Sequence, residues 1–196
     1  MINFSSMAIT SEDALREIAG IPHEHVVKKT ISRLDEHCKK FIAMSPLLFL
    51  STSNADGKCD VSPRGDSPSE ILILNDHQFV IPDRPGNRRL DSILNMMSNP
   101  HIGLVFLIPG LDEVLRINGK ATIIKDEEIL SKMSLKGKSP LLGIGVDVEE
   151  CFIHCSRALN KSSVWKPDTW QSKDTLPAML EIFFDHLKIN GIEVKR

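Results

Sequence analysis

Phe79-Val80-Ile81-Pro82-Asp83-Arg84-Pro85-Gly86-Asn87-Arg88-Arg89-Leu90-Asp91 is the stretch on which the reading of this chain turns. Phe79 to Ile81 is a run of strand formers that stops at Pro82, Pro85-Gly86-Asn87 is turn material, and Leu90, Ile93, Leu94 and Met97 then recur at helical spacing between Arg88 and Met97. A strand therefore hands over to a helix across a turn that carries Arg84, Arg88 and Arg89. Free backbone N–H groups of a first helical turn, together with planar guanidinium forks, are the ingredients of a phosphate site. The same residues allow a plainer reading, in which Asp83, Arg84, Arg88 and Asp91 form exposed ion pairs of little consequence.

Upstream of this stretch, Leu47 to Ser53 is a buried-strand pattern, Asn54-Ala55-Asp56-Gly57 is a hairpin turn signal, and Lys58 to Ser62 is the returning strand. Pro63-Arg64-Gly65-Asp66 follows, with an arginine held between Pro and Gly at a strand end, where it is either aimed rigidly or simply solvated. Ile71 to Leu74 resumes a strand. Downstream, Asn99-Pro100 ends the helix, His101 to Ile108 and Val114 to Ile124 are two long strands, and Asp126 caps a short helix through Met133. Gly137-Lys138-Ser139-Pro140 and Gly143-Ile144-Gly145 read as a flexible connector before a strand from Val146 to about His154. A short helix, a loop with Trp165 and Trp170, and a helix from about Leu176 to Leu187 complete the chain. At its start, Thr10-Ser11-Glu12-Asp13, hydroxyl residues followed by acids, is the pattern that caps a helix, which stops at Gly20-Ile21-Pro22, and a second helical pattern runs from about His25 to Met44. Antiparallel strands at short intervals, with one internal helix and helices at both ends, predict a mainly β, α+β fold: a small closed barrel with peripheral helices. The regular strand–helix alternation of a doubly wound parallel sheet is missing. The expected organisation is a helical arm over residues 1–44 packed on a barrel domain over 45–196 that includes the C-terminal helix.

The chain has 196 residues, 41% of them hydrophobic, enough for one domain with a real core. Its formal net charge of -2 lacks the footprint of a nucleic-acid binder, so any anion site is local. Two Trp, eight Phe and no Tyr leave few platforms for stacking bases. The longest apolar runs fall well short of the roughly 18 residues of a membrane span, and the N-terminus has no secretory pattern. Four cysteines in such a chain point to the reducing cytoplasm. Cys151, His154 and Cys155 look like metal ligands at first sight, but alternation along a strand separates His154 from the two cysteines, which favours a buried Cys pair and no metal. His23 and His25 read as capping or solvated groups. No Gly-x-Ser-x-Gly elbow supports hydrolase chemistry, and Lys136-Gly137-Lys138-Ser139 lacks the glycine and leading strand of a nucleotide-binding loop.

Asp60-Val61-Ser62-Pro63-Arg64-Gly65-Asp66, Ile81 to Ser92, Asn99-Pro100 with Gly103-Leu104-Val105-Phe106 and Ile108-Pro109-Gly110, and Arg116-Ile117-Asn118-Gly119-Lys120-Ala121 together resemble the pyridoxamine 5'-phosphate oxidase-related FMN-binding proteins. Cys151 to Cys155, Arg157-Ala158-Leu159 and Ser162-Ser163-Val164-Trp165 resemble the late motif of an uncharacterised branch. The resemblance spans roughly Phe41 to Trp165 and implies a split β-barrel homodimer with one FMN in each of two clefts between the subunits. It implies that Arg64, with Ser62 nearby, faces the flavin or its phosphate, and that Ile81, Pro82 and Asp83 give backbone contacts along the isoalloxazine edge. Arg84, Asn87, Arg88 and Arg89 would hold the phosphate and ribityl chain, while Arg116, Asn118 and the Ser162 to Trp165 segment would approach from the partner subunit. The C-terminal Trp, Arg and His signature of the authentic oxidases is absent, since Trp165-Lys166-Pro167-Asp168-Thr169-Trp170 does not match it, so vitamin B6 oxidation does not come with the fold. The implied function is an FMN-dependent oxidoreductase acting on a small molecule, with reduced nicotinamide as a candidate donor. The alternative is a module that stores FMN, haem or a deazaflavin without turnover. No side chain declares itself catalytic; His154, Arg157 and Arg64 are the candidates for substrate contact.

Overall fold

Ser11 accepts a hydrogen bond from the Ala14 amide and so starts α1 (Glu12–Ala19), which Gly20 ends at φ 78°. The residues described in this computed structural model are 1–66, 69–155 and 157–193. Contacts divide the chain into two compact units, Met1–Ser156 and Arg157–Arg196.

The single helix expected from His25 to Met44 is two helices, α2 (Glu24–Lys28) and α3 (Glu36–Met44). Two interactions divide it, one tertiary and one local. Ile31 exchanges backbone hydrogen bonds with Cys151, at 3.0 and 2.7 Å, which requires extended backbone. Asp35 then restarts the helix by accepting the Cys38 amide at 2.8 Å, an N-cap that holds the Asp35 carboxyl below its ordinary range.

The strands are β1 (Leu47–Ser53), β2 (Cys59–Gly65), β3 (Leu72–Ile73) and β4 (Gln78–Asp83), then α4 (Asp91–Ser98), β5 (His101–Leu107), β6 (Glu113–Ile124), α5 (Glu127–Ser131) and β7 (Leu142–Cys155). They form one seven-stranded antiparallel sheet in the order β2-β1-β5-β6-β7-β4-β3. Its α+β architecture is the one expected from the sequence, and the closed barrel read from strand spacing alone gives way to the split barrel that the family resemblance implied. The ladder does not close: β2 and β3 are its edges, and the barrel is split there. Pro63 sits within edge strand β2, where its missing N–H leaves no central ladder bond unmade.

Alternation along β1 sends Leu48, Leu50 and Thr52 inward and leaves Phe49 and Ser51 outside. Leu50, Phe79, Phe106, Leu115, Ile117 and Ile144 fill the barrel, and the Phe79 and Phe106 rings meet edge to face at 6.3 Å. Gly143-Ile144-Gly145, expected as connector, belongs to β7 instead. A Cβ at Gly143 would stand 2.9 Å from Val80 Cγ1 and 3.0 Å from Leu130 Cδ2, so this glycine serves close packing of strand on helix rather than flexibility. Cys151 is buried as expected, but its partner is Cys38 of α3 at 3.3 Å, whereas Cys155 is exposed. Burial and the neighbouring Cys38 sulfur push the Cys151 thiol up, while its hydrogen bond lowers that of Cys38.

The second unit contains α6 (Arg157–Ser162) and α7 (Met179–Ile189), with short 3-10 turns between them. Trp170 closes its loop by donating its indole N–H to the Val164 carbonyl at 3.0 Å. Among the described residues no helix is long and apolar enough to cross a membrane.

Candidate functional site

Where the ladder is interrupted, side chains span the gap. Arg64, at the end of β2, donates through Nη1 to Asp83 Oδ1 of β4 at 2.5 Å. Arg84, just past β4, donates through Nε to Asp66 Oδ2 at 2.9 Å and through Nη1 to the Met133 carbonyl at 2.9 Å. These two ion pairs join the ends of β2 and β4. They are shielded, with side-chain exposures of 22% and 15% for Arg64 and Asp83, and 22% and 12% for Arg84 and Asp66.

Pairing does not exhaust either guanidinium. Arg64 Nε and Arg84 Nη2 are buried and have no hydrogen-bond partner among the described residues. Buried N–H donors left open in this way are uncommon and mark a place where another acceptor belongs. Both arginines line a cleft of about 610 Å³, which is within the size range of small-molecule and cofactor sites.

Helix α4 forms the other side of that cleft. Its N-cap is Leu90, in left-handed backbone at φ 60°, and no side chain among the described residues caps the first turn. Arg88, at φ 64°, precedes it and makes no hydrogen bond or ion pair among the described residues. Its guanidinium and the uncapped amides present positive charge to the cleft, where an anion is stabilised by both. Arg89 is engaged differently: Nε donates to Asp91 Oδ2 at 2.7 Å, a hydrogen bond that raises the arginine's pKa, and its amide donates to Asn87 Oδ1 at 3.0 Å.

A polar seam holds α4 in place. Ser92, buried at 3% exposure, donates to Asp60 Oδ2 at 2.6 Å and lies 3.0 Å from Ser62 Oγ. One turn on, Asn95 donates to Thr52 Oγ1 at 3.1 Å, and Asn99 donates to Ser53 Oγ at 3.0 Å. Ile93 and Met96 of the same helix enter the core. Apolar and polar sides of α4 thus fix its axis, and with it the direction of its first turn.

Of the residues expected at the site, Ser62, Arg64, Asp83, Arg84, Asn87, Arg88 and Arg89 all line this cleft. Ile81 and Pro82 are buried and line an adjoining cavity of about 280 Å³ that shares Arg64 and Arg84 with it. Arg116 and Asn118 lie elsewhere, on β6: Arg116 stands over the Phe152 ring at 5.1 Å and Asn118 donates to Glu150 Oε2 at 2.8 Å. Ser162 and Trp165 belong to the second unit, where Ser162 donates to the Leu159 carbonyl at 2.9 Å and the Trp165 indole N–H has no partner among the described residues. His154 is exposed on β7. The cleft also contains Asp60, Ser92, Leu141 and Leu142, which the sequence reading passed over. Asp60, Ser62 and Arg64 are alternate residues of one strand and so share a face, a signal the sequence does contain.

A family model described as pyridoxamine 5'-phosphate oxidase matches residues 34–155. No curated protein matches the chain. Among solved structures, Group A Streptococcus HupZ is similar with a TM-score of 0.51 at 18% identity, covering 63% of this chain and 95% of that one. General stress protein 26 of Bacillus anthracis gives a TM-score of 0.46 at 15% identity, covering 66% and 93%. An FMN-binding protein of Syntrophomonas wolfei gives 0.45 at 13% identity, covering 72% and 95%.

Proposed function

Because the chain belongs to the pyridoxamine 5'-phosphate oxidase family, we propose that it is an FMN-dependent oxidoreductase that works as a homodimer on a small-molecule substrate. The observation that carries this reading is the pair of open guanidinium donors, Arg64 Nε and Arg84 Nη2, in a cleft bordered by the uncapped α4 and the unengaged Arg88. A phosphate monoester needs fixed cationic donors, and these residues fit it. In this reading Arg88 and the first-turn amides of α4 hold the phosphate. Arg64 and Arg84 complete the cationic wall, with Asn87 and Arg89 beside the ribityl chain. Ser62 and Asp83 border the ring, and Leu141 and Leu142 give it apolar cover.

When bound, FMN supplies the two-electron chemistry at its N5 position. The protein orients the ring, excludes water from one side of it and balances the phosphate charge. Donor and substrate are a reduced nicotinamide and a small organic acceptor in this proposal.

The homodimer is supported by the outer face of β1 and β2, where Phe49 is 38% and Val61 62% exposed, side by side with Pro63. An apolar face on a sheet's outer side is a candidate subunit contact. In that dimer Arg116 and Asn118 of β6 would contribute to the partner's cleft. The four free cysteines suit a reducing compartment, and we place the protein in the cytoplasm.

The test is titration of flavin-stripped protein with FMN, read by quenching of flavin fluorescence, followed by anaerobic addition of reduced nicotinamide. One flavin per chain that bleaches on addition is the expected result. Bound flavin that no nicotinamide or amine reduces makes the protein a binding module, and no uptake refutes the cofactor assignment.

A further inference from the structure

Hydroxyl inventory fixes a direction in the seam beneath α4. A serine hydroxyl has one proton to give, and an ionised carboxylate only accepts. Ser92 gives its proton to Asp60 Oδ2 across 2.6 Å. In the 3.0 Å contact between Ser62 and Ser92, Ser92 is therefore the acceptor and Ser62 the donor. That commits the Ser62 proton as well, and what Ser62 turns to the cleft is a lone pair.

We infer that Asp60 and Ser92 are positioning residues that make Ser62 an obligate hydrogen-bond acceptor toward the cleft, so that the ligand group opposite it is an N–H or O–H donor. Three observations converge on this. All three side chains line the cleft; Ser92 is buried, so water does not compete for its proton; and alternation along β2 places Asp60 and Ser62 on one face, with α4 bringing Ser92 to both. A carbonyl or phosphate oxygen placed against Ser62 would meet lone pair with lone pair and be disfavoured. The chain thus selects by polarity, which shape alone does not provide, and it separates the site into a donor-rich arginine end and an acceptor at Ser62.

The inference rests on the flavin reading for its probe, and on nothing in it for its direction. Oxidised FMN carries such donors at the ring imide and at the ribityl hydroxyls. The binding arm compares FMN with 3-methyl-FMN, which lacks the imide proton, and with analogues each lacking one ribityl hydroxyl. Wild-type protein should bind one of these about tenfold more weakly than FMN, and Ser62→Ala should erase that difference; an analogue with an acceptor in place of that donor should bind wild type more weakly still, and Ser92→Ala, which frees the Ser62 proton to be donated, should remove most of that additional loss. A seam that merely anchored α4 would leave the ratio unchanged in the Ser92→Ala protein. Equal affinity for every analogue, or discrimination that survives both substitutions, overturns the inference. The second arm needs no flavin: in ligand-free protein the Ser92 hydroxyl proton should give a slowly exchanging NMR resonance that Asp60→Ala abolishes. Its presence in a protein that binds no FMN rejects the flavin reading and retains the chain's direction, and its absence rejects the direction.

Discussion

The split in the sheet makes a quantitative demand on Arg84. It holds Asp66 at 2.9 Å and the Met133 carbonyl at 2.9 Å, with 22% and 12% of the two charged side chains exposed. Arg84→Met leaves the carboxylate and the carbonyl without their donor. Breaking a buried pair costs about 3–5 kcal/mol, and discounting for the remaining solvent contact gives roughly 2–3 kcal/mol here. At a urea dependence of about 2 kcal/mol per molar, the midpoint should fall by about 1 M. Asp66→Leu should cost a similar amount. The double variant should cost about as much as either single, since the Met133 carbonyl still lacks its donor, giving a coupling energy of about 2–3 kcal/mol. Both tryptophans, Trp165 and Trp170, belong to the second unit, so unfolding of the sheet is best followed by far-UV circular dichroism. Single variants within about 0.5 kcal/mol of wild type, with additive effects, would refute the claim that this pair bridges the split.

Arg88→Ala should leave the thermal midpoint unchanged, because this exposed side chain has no hydrogen bond or ion pair among the described residues to lose, while FMN binding weakens by about 1.5–3 kcal/mol in a fluorescence titration. Asp35→Ala should destabilise by about 1 kcal/mol through loss of the cap on α3. The cap lowers the Asp35 pKa from its ordinary 3.8, so this stabilisation is present above pH 3.8 and is lost as the pH falls through the lower folded value; the difference in stability between wild type and variant should be full at pH 7 and shrink steadily as denaturation is repeated at pH values below 3.8. Gly119→Ala should fail to give folded protein, since its Cβ would overlap the Asp147 carbonyl oxygen at the bulge between β6 and β7, and soluble yield with circular dichroism checks it. Phe49→Glu with Val61→Lys should convert the proposed homodimer to a monomer in sedimentation velocity, and a sedimentation coefficient unchanged by the pair would refute that interface.

Local chemistry was legible in the sequence. Asn54 and Gly57 make the expected hairpin turn, with Asn54 Oδ1 accepting the Asp56 and Lys58 amides and Gly57 at φ 80°. The capping pattern at Thr10-Ser11 resolves to Ser11, and the cap at Asp126 holds. Arginines on a turn before a helix announced their cleft. What local pattern misled was decided by tertiary partners. The apolar spacing from His25 to Met44 fits a helix, but pairing of Ile31 with Cys151, 120 residues away in sequence, interrupts it. Gly143 and Gly145 look like linker until Val80 and Leu130 pack against β7. The pairing of Arg64 with Asp83 across 19 residues depends on how far the barrel closes, which no local pattern states. Ser92 lies at the end of the run that carries the family resemblance, but nothing in the local pattern says that its hydroxyl reaches Asp60.

The measurement that reaches the central claim most directly is the affinity of flavin-stripped protein for FMN set against that for riboflavin, which differs only by the phosphate. Cationic donors at Arg88, Arg64 and Arg84 predict FMN binding at least about a hundredfold tighter, the equivalent of about 3 kcal/mol from charge-assisted hydrogen bonds. Equal affinity for the two flavins would contradict a phosphate held at the head of α4.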